Sequence, residues 1–402
     1  MLSFFTLFME SLHGLKILDF TQAMAGPLSS MILGELGAEI IKVEPPSGDQ
    51  SRSWAPPFIN NESAYFISVN KNKKSICIDL KKPESGNIIK KLVANSDIII
   101  ENFRPGTTIK LGIDYETIKK YNDKIIYCSI SGFGQSGPDA GMPSYDLITL
   151  ARSGLMSITG EKDRGPVKFG VPITDITSGL FSTISILAAL NYRNSTGRGQ
   201  YIDISMLDVN VYLLVNQFMN YIATGNNPQR LGSVHPTIAP YQVLKTKSDY
   251  IAITVGTEKL WALFCKAIGI ENIQDDEKFS SNENRIKNRD ALIEIIGREF
   301  QKYSADELVN KLQHYGIPCS KVNKISDVIN DKQLNFRKMI IDMIEGDSHV
   351  TVLSSPFKMS ETPGTVKSLS PKLGENTVEI LKELGYSNEE INIFKENSVI
   401  KK

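Results

Sequence analysis

Asp175 stands in GVPITDITSGL, where an apolar approach over 171–173 ends and a long apolar helix begins. A carboxylate there has two uses. As a helix N-cap it accepts hydrogen bonds from the amides that follow. Held ionised and partly withdrawn from water, it is also a nucleophile able to form acyl intermediates. The local pattern fits both, and the N-cap reading implies that losing the carboxylate weakens the helix start. Gly132, Gly134 and Gly137 in SGFGQSG have GxGxxG spacing, but Pro138, Asp139, Ala140, Gly141 and Pro143 follow where a dinucleotide fingerprint needs a helix to open. The segment reads as a broad loop, and FTQAMAGP after the first strand lacks the three glycines as well. A Rossmann-like sheet without a nicotinamide or flavin cofactor is the better reading. No GxxxxGK[ST], GxSxG or HExxH occurs, so P-loop, serine-hydrolase and zincin chemistry have no support. His13, His235, His314 and His349 are scattered without metal-ligand spacing.

Basic and amide side chains recur near strand ends: Asn70, Asn72, Lys73, Lys74, Asn102, Arg104 and Lys110. Such groups supply charge and orientation to an anionic ligand, and by spacing alone they equally fit a wet surface.

Alternating elements must position these residues. LKILDF at 15–20, AEIIKV at 38–43, SICIDL at 75–80, DIIIEN at 97–102 and KIIYCSI at 124–130 read as strands, with helices after Pro27, over 85–94 and ahead of Tyr121. YIDISM follows the long helix behind Asp175. Strand, helix, strand with short joins implies parallel pairing with right-handed crossovers, so the fold class is α/β, a doubly wound sheet. Ligands of such sheets bind outside the carboxyl ends of the strands, which selects the loops 21–27, 44–49, 102–106, 131–137 and the one carrying Asp175. The polar TGNNPQRL at 224–231 reads as a linker. PYQVLKTKSDYIAITV, a helix from Glu258 and GIPCSKVN make a smaller α+β domain. The domain reading is 10–224, 225–335 and a linker with C-terminal segment over 336–402.

The chain's 402 residues, 41% hydrophobic and 22% charged, suffice for more than one core. Lys+Arg and Asp+Glu are both 45, so no net field favours a nucleic-acid partner. Cys77, Cys128, Cys265 and Cys319 lie far apart, which fits reduced thiols in a cytoplasmic or organellar-matrix protein. MLSFFTLFMESLHG is too short to span a bilayer and reads as a loose terminus, with Met9 as an alternative start. The most apolar internal run, around 180–190, is about one buried helix long, and no membrane span is expected.

Several long motifs in order are similar to the class III CoA-transferases, the family of formyl-CoA transferase and carnitine CoA-transferase that also holds the α-methylacyl-CoA racemases. They include LHGLKILDFTQAMAGPLSSMILGELGAEIIKVEPPSGD, YFISVNKNKKSICIDLK, IIIENFRPG, IIYCSISGFGQSGP, GVPITDITSG, TGRGQYIDISMLD, YGIPCSKVN and PKLGENT. SWAPPF, SVNKNKKSI, SGLMSITG, VHPTIAPYQVLKTK and NRIKNRDAL resemble the succinyl-CoA:glutarate branch. The resemblance implies Asp175 as nucleophile, acyl-CoA as substrate with no tightly bound cofactor, and an interlocked homodimer. It implies CoA contacts at Met24, Ala25, Asn102, Arg104 and Tyr145, with Lys73, Lys81 and Lys110 toward the nucleotide end. Met24 and Pro45 stand where formyl-CoA transferase has a glutamine and an arginine, which argues against formate or oxalate. The dicarboxylate implied by the branch needs a cationic anchor, for which Arg104, Arg152 and Arg230 are candidates. Tyr145 stands where the racemases carry histidine, and a phenol suits hydrogen bonding to an acyl oxygen better than α-proton exchange. The other readings are an acyl-CoA racemase or isomerase and a non-catalytic CoA-binding protein.

Overall fold

The computed structural model describes residues 10–346 and 348–401. The expected loose start at 1–9, including Met9, lies outside them. By its internal contacts the chain divides into two compact units. One holds the described residues up to Leu155, Lys168–Ile222 and those from Asn335 onward; the other holds Met156–Val167 and Ala223–Leu334. The segment Met156–Val167, read above within 10–224, packs with the second unit. There Gly232 N–H donates to Gly160 O at 2.8 Å, and Arg230 donates to the carbonyls of Ser157 and Arg164 at 3.2 and 2.8 Å.

The first unit is built on six parallel strands, β1 (Lys16–Asp19), β2 (Glu39–Glu44), β3 (Lys73–Cys77), β4 (Ile98–Glu101), β5 (Ile126–Ser131) and β6 (Tyr201–Ser205). Their spatial order is β3-β2-β1-β4-β5-β6. Isoleucine-rich strands buried on both faces are what a parallel sheet under two helical layers requires. The chain winds outward from β1 and then returns to its other side, so the order reverses between β1 and β4, where such sheets open a crevice. β3 starts two residues before the SICIDL run, because Ile40 and Ile41 of β2 pair with Lys73 and Lys74. That register carries Lys73 into the interior. Its ammonium is fully buried and donates to Asp19 Oδ2 at 2.9 Å, Asn70 Oδ1 at 2.8 Å and Pro27 O at 3.0 Å. All three protons are engaged, so Lys73 is a structural cation and not the nucleotide contact expected above.

Among the helices of this unit are α1 (Ala25–Glu35), α2 (Ala64–Val69), α3 (Ser85–Ala94), α4 (Thr107–Leu111), α5 (Asp146–Arg152), α6 (Ile173–Thr196), α7 (Met206–Tyr212) and α8 (Val215–Thr224), the last running two residues past the unit's bound at Ile222. At 24 residues, α6 far exceeds the run expected around 180–190, and by length and composition alone it is long and apolar enough to cross a membrane. It buries a face that is mostly small, Thr174, Ser178, Gly179, Ser182, Thr183 and Ala189, with Ile186 and Leu190, and packs against α1 and β5. A Cβ on Gly179 would lie 2.7 Å from the Ala25 carbonyl oxygen, so only glycine permits this approach of α6 to α1. On the other face of the sheet, helices at Thr377–Glu383 and Asn388–Glu396 and the segment that follows bring Ile380, Leu381, Ile391, Val399 and Ile400 into one cluster with Ile76, Ile88 of α3 and Ile99.

The second unit has a three-stranded antiparallel sheet of Tyr241–Lys245, Tyr250–Thr254 and Cys319–Lys321, the middle strand in sequence lying in the centre. Trp261, Phe264, Leu292, Ile296, Phe300, Leu308 and Leu312 form its core with Ile251 and Ile253.

Breaking a buried ion pair by removing one partner costs about 3–5 kcal/mol, because the other charge is stranded. Lys73→Ala therefore lowers the urea-unfolding free energy by about that amount, whereas the exposed Lys81→Ala changes it by less than about 0.5 kcal/mol. Equal effects of the two variants in denaturation curves would contradict the structural role of Lys73.

Candidate active site

The loop after β1 is held from three sides. Lys42 Nζ donates to Thr21 O at 2.7 Å and pairs with Asp49 Oδ2 at 2.9 Å, with neither side chain exposed. Asp49 Oδ1 accepts from Ala23 N–H at 3.2 Å, and Asn102 accepts from Gln22 N–H at 2.9 Å while donating to Gln22 O at 2.8 Å. These bonds hold Ala23 at φ +68°, a conformation that a residue with a Cβ rarely adopts. Beneath them lies Asp19. Burial alone would raise its carboxyl, but the Lys73 and Lys42 ammonium groups, with Ser30 and Thr21 donating, hold it far below the usual carboxylate range.

Asp175 has the opposite surroundings. α6 begins at Ile173 with Pro172 as N-cap, so Asp175 is its third residue and not the cap expected from sequence. The capping acceptor arrives from another segment. Asp146 Oδ1, at the start of α5, accepts from Thr174 N–H at 2.8 Å and Asp175 N–H at 3.4 Å. Among the described residues no donor reaches the Asp175 carboxylate. Burial first, and the Asp146 charge second, push its carboxyl up to about 7. The sequence reading of a carboxylate held ionised by its helix is corrected on this point. Near neutrality, protonated and ionised forms coexist.

A cavity of about 220 Å³ opens beside it, lined among others by Met24, Ala25, Trp54, Asn102, Arg104, Gly132, Tyr145, Asp175 and Met206. Its location matches the strand-order reversal, since Met24 follows β1 and Asn102 follows β4. Of the expected contacts, Met24, Ala25, Asn102, Arg104 and Tyr145 come together with Asp175. Asn102 uses its amide on the Gln22 backbone, which makes it a brace of the loop. Arg104 has no acidic partner among the described residues. Lys81 and Lys110 are exposed and do not line the cavity. Of the other anchor candidates, Arg152 pairs with Asp139 over the Phe133 ring, and Arg230 donates to the carbonyls named above. Gly132 is explained by packing, for a Cβ there would fall 2.2 Å from Ser144 Cβ. No helix opens after Gly137; the next begins at Asp146.

Sequence reasoning missed Asp146, Trp54, Tyr65 and Met206. Trp54 packs edge-on against Tyr65 of α2 with ring centroids 4.9 Å apart. Burial and the Asp175, Asp146 and Asp49 charges all raise the Tyr65 phenol, which marks it as a neighbour of the carboxylates that keeps its proton. The signal for Asp146 was present in PSYDL, one residue beyond Tyr145. No group of His, Cys, Asp and Glu among the described residues is arranged to hold a metal ion.

Fold and site together define an α/β enzyme whose cavity, at the switch point of a parallel sheet, is lined by one carboxylate that has no donor among the described residues. The pattern of CoA-transferase family III matches residues 12–377. The succinate–glutarate CoA-transferase of Agrobacterium fabrum is 39% identical over 93% of this chain and 95% of its own length. The succinyl-CoA:glutarate CoA-transferase of Mus musculus is 41% identical over 94% and 87%. A crystal structure of a CAIB/BAIF family protein from Brucella suis superposes with a TM-score of 0.87 at 40% identity, covering 93% of this chain and 99% of that one. The chain belongs to CoA-transferase family III and is an enzyme of the CoA-transferase type.

The raised Asp175 carboxyl has a consequence for stability. The folded protein binds this proton more tightly than the unfolded chain, whose carboxyl titrates near 3.8, so ionisation opposes folding increasingly as pH rises from about 4 through 7. Asp175→Asn, which cannot ionise, should stabilise the protein by on the order of 1–3 kcal/mol at pH 8 and by little at pH 4. Unfolding curves at both values test this, and a difference that does not change with pH contradicts it.

Proposed function

We propose that the enzyme moves CoA from succinyl-CoA to a small dicarboxylate such as glutarate, with Asp175 as the covalent carrier. The observation that carries this reading is the half-buried Asp175 carboxylate, without a donor among the described residues, facing the switch-point cavity. The names of the relatives support the choice of acids. An Asp175 oxygen attacks the thioester carbonyl, the C–S bond breaks, and CoA leaves as thiolate from a mixed anhydride. The thiolate then attacks the aspartyl carbonyl, expelling the donor as a free carboxylate and leaving aspartyl-CoA. The acceptor carboxylate reverses these steps, so thioester energy passes between acids provided that water stays out.

The cavity is too small for a whole CoA and suits an acyl group with the end of the pantetheine arm. α1 opens onto it at Ala25 without a side-chain cap, so its first amides are available to developing oxyanions, each worth roughly 3–4 kcal/mol when well placed. Arg104, the one of the three candidate anchors that lines the cavity, supplies positive charge to an anionic ligand. Asp175→Asn should reduce CoA transfer from succinyl-CoA by at least about 10³-fold, while hydroxylamine trapping and mass spectrometry label Asp175 in the unaltered enzyme. Near-normal transfer by the variant removes Asp175. Preference for a monocarboxylate acceptor removes the dicarboxylate, and deuterium exchange at the α-carbon of a 2-methylacyl-CoA without CoA transfer makes the enzyme a racemase.

We also read the chain as a homodimer. Leu180, Ile184 and Leu187 of α6 recur at helical spacing on its exposed side, and Tyr212 of α7 with Val215, Phe218, Met219 and Ile222 of α8 are exposed as well; Ile184 and Tyr212 are 59% and 71% exposed. An uncovered apolar surface of this kind marks an association site. Light scattering should give twice the chain mass, and Ile184→Glu with Phe218→Glu should shift it toward one. A single-chain mass for the unaltered protein rules the dimer out.

A further inference from the structure

Two acidic side chains meet at the N-terminus of α6, and they receive unequal treatment. The first amides of a helix are its free donors and the positive end of its dipole, so an acid in the first turn ordinarily gains from them. Asp175 holds such a place. The second and third amides of the helix nevertheless turn to Asp146 Oδ1, at 2.8 and 3.4 Å. Asp146 belongs to α5, 29 residues from Asp175, and directly follows the cavity residue Tyr145. We propose that Asp146 is a positioning residue that withholds the α6 N-terminus from the Asp175 carboxylate and thereby tilts the enzyme toward its acylated form.

This rests on the reading of Asp175 as the nucleophile, and the charge balance of the reaction supplies the argument. Acyl-CoA and the Asp175 carboxylate become aspartyl-CoA and a free acid anion. One C–S bond and one C–O bond break, one of each forms, and no proton is consumed. The negative charge thus moves from Asp175 to a product that leaves for water. Everything that disfavours a charge at Asp175, its burial and the facing Asp146, ceases to act once the residue is acylated. The elevated carboxyl of Asp175 reports the same imbalance in its titration, because protonation also removes the charge. Asp19, which sits among lysines and hydroxyl donors, is the converse case in the same unit, a carboxylate whose charge is stabilised.

Asp146→Asn separates charge from capping, since the side-chain oxygen can still accept from Thr174 N–H. Removing a like charge at this range should move the acid limb of kcat/KM against pH downward by about one unit. At a fixed ratio of acyl-CoA to free acid, and at a pH where Asp175 is ionised in the free enzyme, the ratio of trapped aspartyl-CoA to unacylated enzyme should fall by about tenfold, the factor that one unit represents. Asp146→Ser, a shorter cap without charge, should move both readouts in the same direction and guards against a folding defect of the first variant. The proposal is overturned if both folded variants lose activity uniformly with pH while limb and trapped fraction stay in place, for that is what a purely structural cap would do. Absence of aspartyl-CoA in the unaltered enzyme is the separate result that removes Asp175 as nucleophile, and this proposal with it.

Discussion

Two lysines inside the sheet determine where the loop after β1 runs. Lys42 and Lys73 are without exposure, and their partners Asp19 and Asp49 are buried with them. Burying four charges is costly, and apolar side chains of similar volume would often be as stable. These pairs have another use, for they end on backbone: Lys42 on Thr21 O, Lys73 on Pro27 O, Asp49 on Ala23 N–H. A buried loop needs partners for its amides and carbonyls, and charged groups make short, directional ones. The loop is therefore rigid before any ligand arrives, and the cavity is set by it.

The same unit then treats its aspartates in contrasting ways. Asp19 and Asp49 have cations and hydroxyls around them, while Asp175 has a cavity, another acid and no donor among the described residues. A carboxylate surrounded by donors is stable and inert. One denied them is the better nucleophile and the better proton acceptor, and it is destabilising to the fold, which is the usual relation between a reactive group and its scaffold.

Much of this was readable in the sequence. Isoleucine-rich runs gave the parallel strands, and the rule that ligands lie beyond strand ends selected the loops at 21–27, 102–106 and 131–137, each of which contributes to the cavity. What escaped was whatever depends on register or on contact between distant segments. Lys73 looked like a surface cation because the apolar run begins at Ser75, yet its pairing with Ile40 places it inside. Asp175 looked like a cap because the helix was read as starting after it, when the start is at Ile173. Asp146 was hidden behind Tyr145, since nothing local shows that PSYDL meets the first turn of α6. Trp54 and Tyr65 come from a stretch without strand or long-helix periodicity.

The outer strand β3 ends the sheet, and an outer strand offers unpaired backbone to any passing chain. Here its amides are answered from far along the polypeptide. Ser75 N–H donates to Asn376 Oδ1, 301 residues away, Cys77 N–H to Thr377 Oγ1, and, just past the strand, Asp79 N–H to Val399 O. Ile380, Leu381, Val399 and Ile400 also complete the apolar cluster beneath. On the ribosome, then, the first half of this unit is made long before its covering exists. Until the residues from Asn376 to Ile400 emerge, the nascent chain carries an open sheet margin and a bare isoleucine face, the form most exposed to misassociation.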